Sequence, residues 1–233
     1  MIRAENLTVK YVPAEEACAL RGVSFSVSAG ERLALIGANG AGKSTLLLAL
    51  VGAVPPASGG IVIDGIPVEK KTLYEARGKA GMVFQNPDDQ LFMPTVYEDI
   101  AFGPRNYGIE EDVISQRAAR VLADLGIERL SGRMTAKLSG GEKRLVALAG
   151  VLVMLPSVLL LDEPSSFLDP RSRRRLIEIL KGLPQTLMIA THDLALAQDL
   201  CDRIILLKEG RVAADGPAAD ILADTERLED CGL

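Results

Sequence analysis

The chain of 233 residues has no tryptophan, a single histidine, three cysteines and an aromatic content of only 4%. So few rings leave no stacking platform of the kind that reads single-stranded nucleic acid. Its 26 Lys and Arg face 31 Asp and Glu, a net charge of −5, which argues against a surface for phosphate backbones or anionic lipid. Cys18, Cys201 and Cys231 are scattered and odd in number. That fits reduced thiols in the cytosol and offers no metal-cluster spacing. Long apolar runs are missing too. The longest, Leu145–Leu155, follows Lys143-Arg144 and stops before Pro156, well short of the roughly 20 residues a bilayer helix needs. The first residues carry Arg3 and Glu5 and do not read as a secretion signal. If the protein serves a membrane, another chain is expected to cross it.

What is present alternates strands with helices. Ile2–Lys10 and Val23–Val27 are rich in β-formers, and Ser28-Ala29-Gly30 turns the chain. Leu33–Ile36 is a short unbroken apolar run, as expected of a parallel strand buried on both faces. A helix is predicted over Lys43–Val51 and a further strand over Ile61–Ile63. From about Val96 to Val153 the pattern turns helical, with Ile114, Ala118, Val121, Leu122 and Leu125 on one stripe. Strands return at Val158–Leu161, Leu187–Ala190 and Ile204–Leu207. This order predicts a parallel α/β core with an inserted helical lobe. The basic cluster Arg171–Arg175 follows Asp169-Pro170, a plausible N-cap and first helical residue. A solvated helix face is therefore preferred over a nucleic-acid site.

Gly37-Ala-Asn39-Gly40-Ala-Gly42-Lys43-Ser44 matches the phosphate-loop pattern and sits between an apolar strand and a helix. Its glycines let the backbone approach phosphates, so amides and the following helix N-terminus can cradle them. Lys43 is expected to reach the β- and γ-phosphates of ATP, and the Ser44 hydroxyl to ligate Mg²⁺; Asn39 and Thr45 belong to the same expected nucleotide site. Asp162 and Glu163 end the apolar strand Val158–Leu161. Asp162 suits the Mg²⁺ shell, and Glu163 suits polarising the attacking water. Tyr11 is a candidate for stacking on adenine, with a core or surface tyrosine almost as good a reading.

Leu138-Ser139-Gly140-Gly141-Glu142, found together with that loop, resembles the signature of the ATP-binding-cassette (ABC) ATPases. The resemblance covers about residues 2–215. It implies a phosphate-loop NTPase (RecA-like) core with an N-terminal antiparallel β subdomain and an α-helical lobe. The whole chain is then a single ABC ATPase domain, with its core in residues 1–92 and 154–233 and its lobe in 93–153. His192 resembles the switch histidine that contacts the γ-phosphate. Gln85 resembles the glutamine linking Mg²⁺ and water to the helical lobe, and Phe167-Leu168-Asp169 resembles the loop that crosses the dimer interface. In this family two ATPases pair head to tail, so Ser139, Gly140 and Gly141 of one chain cap ATP held by the other.

A narrower likeness lies in Val83–Phe92 and Pro94–Pro104, which are similar to ATPases of energy-coupling-factor (ECF) importers, especially those for cobalt and nickel. It implies a homodimer, or a heterodimer with a related ATPase, on the cytoplasmic face of the membrane. A transmembrane scaffold and a membrane substrate-binding subunit would be its partners, with no nucleic acid. A vitamin-importing ECF transporter is the alternative. A soluble ABC ATPase of DNA repair or translation is a further reading, but such relatives usually carry two cassettes or a long coiled coil, and no sustained heptads occur here. A small-molecule kinase would leave Leu138–Glu142 unexplained.

Overall fold

A computed structural model of the chain describes residues 2–11 and 17–233. Its first part runs β1 (Ile2–Val9), β2 (Leu20–Val27), β3 (Arg32–Ile36), α1 (Lys43–Leu50), β4 (Ser58–Ile63), β5 (Ile66–Pro67), α2 (Leu73–Lys79) and β6 (Ala80–Val83). Three longer helices follow: α3 (Val96–Asn106), α4 (Glu111–Asp124) and α5 (Gly140–Leu152). The chain then alternates through β7 (Val158–Asp162), α6 (Pro170–Gly182), β8 (Thr186–Thr191), α7 (Leu194–Leu200) and β9 (Arg203–Lys208). It closes with β10 (Arg211–Pro217), α8 (Ala218–Ala223) and α9 (Thr225–Asp230).

Contacts divide this chain into two compact units. The first holds residues up to Met82, Ser157–Glu163 and Pro184–Leu233, and the second holds Val83–Pro156 and Pro164–Leu183. A sheet ordered β10-β9-β3-β8-β7-β6 builds the first unit, and β3 pairs in parallel with both β8 and β9. Leu33, Ala34, Leu35 and Ile36 in the centre of that sheet are wholly buried. That burial on both faces explains why this strand reads as an unbroken apolar run. A second sheet, β2-β1-β4-β5, is antiparallel. Its β2 alternates buried Val23, Phe25 and Val27 with exposed neighbours, the pattern of a half-covered sheet. Helix α1 buries Leu46, Leu47 and Leu50 in the core cluster, each contributing about 1.5–3 kcal/mol relative to exposure. That anchorage holds the loop before α1 to the end of β3.

In the second unit α3, α4 and α5 pack on one another. Helix α4 buries Ile114, Ala118, Val121 and Leu122, matching the stripe read from the sequence. Thr95 and Glu98 form a capping box at the start of α3. Asp169 caps α6 by accepting from the amides of Arg171 and Ser172, with Pro170 in the first turn. Arg175, in the expected solvated cluster, does more than face water. Its Nη2 donates to the carbonyls of Leu125 (2.7 Å) and Gly126 (2.9 Å), which end α4. The architecture is thus a phosphate-loop NTPase core with an antiparallel β subdomain and a helical insert. Among the described residues no helix is long and apolar enough to cross a membrane.

Candidate functional site

In the first unit, the loop from Gly37 to Gly42 joins β3 to α1. Three of its glycines have positive φ: Gly37 (155°), Gly40 (82°) and Gly42 (107°). At Gly42, which is the N-cap of α1, a Cβ would come within 2.8 Å of the Ala19 carbonyl oxygen. Only glycine combines that backbone with that closeness. Gly40 faces open space. Helix α1 has neither a side-chain cap nor an acidic residue in its first turn, so its N-terminal amides are left for an anion. The Ala41 carbonyl accepts from the Gly210 amide at 3.0 Å, bracing the loop from the β9–β10 turn.

Lys43 is buried, and its Nζ donates to the carbonyls of Gly37 (2.7 Å) and Ala38 (3.2 Å). Desolvation pulls its pKa below the usual lysine range, while the carboxylates of Glu163 and Asp162 push it back up. Its Nζ lies 4.0 Å from Glu163 Oε1. Asp162 ends β7 in the register opposite Ala190 of β8, and both Asp162 and Glu163 are buried. Glu163 turns out of the strand at φ 43° while its amide donates to the Ala190 carbonyl at 2.8 Å. Its Oε1 accepts from the His192 amide at 3.0 Å and lies 2.8 Å from His192 Nδ1. Its Oε2 accepts from the Thr191 hydroxyl at 3.0 Å. Parallel pairing of β7 with β8 is what brings Asp162, Glu163 and His192 together.

Ser44 is exposed on the first turn of α1, Asn39 is exposed on the loop, and Thr45 is buried. Tyr11 is 61% exposed, and its hydroxyl lies 2.8 Å from Thr45 Oγ1. The ring is therefore available at the surface while its phenol is tied to the phosphate-loop helix. A cradle of positive-φ glycines, a desolvated lysine and two buried carboxylates fits a triphosphate with a divalent cation.

The remaining expected residues lie in the second unit. Ser139 is the N-cap of α5 and accepts from the Glu142 amide at 3.4 Å, while Glu142 Oε2 accepts from the Ser139 amide at 3.0 Å. That amide, and then Arg129 at 2.9 Å, hold the Glu142 carboxyl below the usual carboxylate range against the opposing effect of burial. Gly140 and Gly141 open the helix. A Cβ on Gly141 would lie 2.9 Å from the Ser172 hydroxyl, so α5 and α6 approach closely there. Asp169 is exposed beside Phe167, which is 93% exposed at φ 62°.

Gln85 is exposed after β6, and its carbonyl accepts from Arg144 Nη2 at 2.5 Å. The Phe84 carbonyl accepts from Arg144 Nη1 at 2.6 Å. Gln90 adds two bonds, accepting from the Phe84 amide and donating to the Ala147 carbonyl at 3.0 Å. The sequence alone does not single out Arg144, Gln90, Arg129 or Thr191. Arg144 stands two residues past Glu142 of the signature and Thr191 immediately precedes His192, and these placements are the available signal.

A family model described as "ABC transporter" matches residues 20–166. An energy-coupling factor transporter ATP-binding protein EcfA of Methanothermobacter thermautotrophicus is 44% identical over 238 residues, spanning 100% of this chain and 76% of its own length. Among solved structures, cbiO1 of Clostridium perfringens, part of the ABC transporter complex cbiONQ, superposes with TM-score 0.86. It is 39% identical, covering 98% of this chain and 93% of its own. The ATP-binding cassette MJ0796, a dimer in a post-hydrolysis state bound to ADP and Pi, gives TM-score 0.83 at 29% identity, with 94% and 99% covered. The chain belongs to the ABC transporter family and is an ATP-binding, ATP-hydrolysing subunit of it.

Proposed function

We propose that this ABC-family ATPase powers an energy-coupling-factor importer for cobalt or nickel ions, from the cytoplasmic face of the membrane. The observation that carries the motor reading is the Glu163 carboxylate, held between the Lys43 ammonium and the end of β8. Gly37, Asn39, Gly40, Gly42, Lys43 and Thr45 bind the triphosphate, and Tyr11 stacks on adenine. Ser44 and Asp162 would hold Mg²⁺, which would supply positive charge against the triphosphate. Glu163 is the general base. An attacking water gives it a proton while the water oxygen bonds the γ-phosphorus; the bond to the bridging oxygen breaks, leaving that electron pair on ADP. His192 contacts the γ-phosphate. The part of Gln85, toward Mg²⁺ and the membrane partner, is proposed from the family resemblance.

Residues 1–92 and 154–233 form the nucleotide-binding core in this reading, and 93–153 the lobe bearing the signature. Two copies of the chain pair head to tail, since both halves of the site are intact in one sequence. Ser139, Gly140, Gly141 and Asp169 of one copy then close over ATP on the other. ATP binding closes the pair and hydrolysis reopens it. A transmembrane scaffold and a membrane substrate-binding subunit receive that motion.

The cargo rests on the resemblance of Val83–Phe92 and Pro94–Pro104 to ATPases of cobalt and nickel importers. No group of three or more potential metal-ligating side chains occurs among the described residues, so ion choice falls to the partners. Purifying the native complex and measuring uptake of cobalt, nickel and vitamins into vesicles tests this. Uptake of a vitamin and of neither ion would replace the metal cargo with the vitamin one.

A further inference from the structure

Thr191 is wholly buried at the end of β8, and nothing above gives it a part in the reaction. Its hydroxyl has two partners with fixed roles. The Asp193 amide donates to Oγ1 at 3.0 Å, which uses the hydroxyl as an acceptor. An ionised carboxylate only accepts, so the hydroxyl proton points at Glu163 Oε2, 3.0 Å away. Direction and distance are therefore both set.

This arrangement makes the two oxygens of Glu163 unequal. Oε2 accepts from the buried hydroxyl, while Oε1 accepts from the His192 amide at 3.0 Å and lies 2.8 Å from His192 Nδ1 and 4.0 Å from Lys43 Nζ. The backbone is fixed as well, by the Glu163 amide on the Ala190 carbonyl. We infer that Thr191 is a positioning residue of the ATPase: its hydroxyl on Oε2, together with the His192 amide on Oε1, fixes the plane of the carboxylate that takes the proton from water. The inference rests on Glu163 being the base. A carboxylate released from this anchor loses its aim, and a misplaced base slows the chemical step far more than it weakens substrate binding.

Thr191→Val keeps the shape of the side chain and removes the hydroxyl. We expect it to lower kcat by about ten-fold or more, with KM for ATP changed less than about two-fold. Thr191→Ser, which restores the hydroxyl, should recover most of the rate. Placed on Glu163→Gln, the same change should lower the residual turnover no further. Thermal melting checks folding, and Thr191→Ala replaces the valine variant if that chain does not fold. Wild-type kcat without the hydroxyl would overturn the inference. So would an equal fall in the Glu163→Gln background, or a serine variant as slow as valine. Wild-type turnover by Glu163→Gln alone would instead remove the base reading, an outcome distinct from failure of the Thr191 series.

Discussion

Helix α1 begins on Gly42 with no side-chain cap and no acidic residue in its first turn, whereas α5 begins with Ser139 and Glu142 closed on each other in a capping box. Each helix N-terminus offers orphan amides and a positive dipole end. At α1 that potential stays open, and Lys43 adds a positive charge beside it. At α5 the helix's own Glu142 already satisfies the Ser139 amide, and Arg129 pairs with that carboxylate. An open terminus can take a whole triphosphate. In a self-capped one the Ser139 hydroxyl is already engaged, accepting from the Glu142 amide and donating to Glu142 Oε2. The two termini therefore differ in what they leave for an anion.

If the chemistry belongs to the α1 end, Glu163→Gln should cut turnover by about a thousand-fold while ATP still binds. Steady-state phosphate release and equilibrium binding of a fluorescent ATP analogue measure the two quantities. An unchanged turnover would strip Glu163 of its part. Lys43→Ala should act on binding, weakening ATP affinity by about a hundred-fold. Titration of the variant checks this, and full affinity would mean that the open terminus is not the phosphate seat. Ser139→Ala should separate the two ends. ATP affinity of the isolated chain stays the same, while turnover falls about ten-fold.

The smallest effect concerns the self-capped end. Glu142 has a folded pKa below its unfolded one, so its contribution is fully present above the ordinary carboxylate range, about pH 4.3. It is lost as pH falls through the lowered value. For a group this near solvent it is worth at most about 1 kcal/mol. Glu142→Gln should therefore melt slightly lower than wild type at pH 7, and the gap should close in acid. A gap that stays constant on acidification would mean the capping box does not depend on the charge.

Local features were legible before any coordinates. The apolar strand before Gly37, the helix from Lys43 and the stripe on α4 each follow from neighbouring residues, and the structure places them accordingly. Asp169 caps the helix its sequence position suggests. What escaped depends on partners far along the chain. Arg144 looks like one more charge after the signature, yet it is buried and bonded to Phe84, 60 residues away. Thr191 acquires meaning only when β8 lies in register beside β7. Strand β10 shows no fully buried position, so no apolar period announces it. Pairing order and buried polar bonds are tertiary facts, and one-dimensional patterns do not carry them.

The pairing of two chains over ATP is tested most directly by the mass of Glu163→Gln in solution, by light scattering with and without ATP and Mg²⁺. Nucleotide should double the mass, and adding Ser139→Arg should return it to that of one chain while ATP stays bound. A Glu163→Gln chain that holds ATP and Mg²⁺ at the mass of a single copy would contradict the shared site.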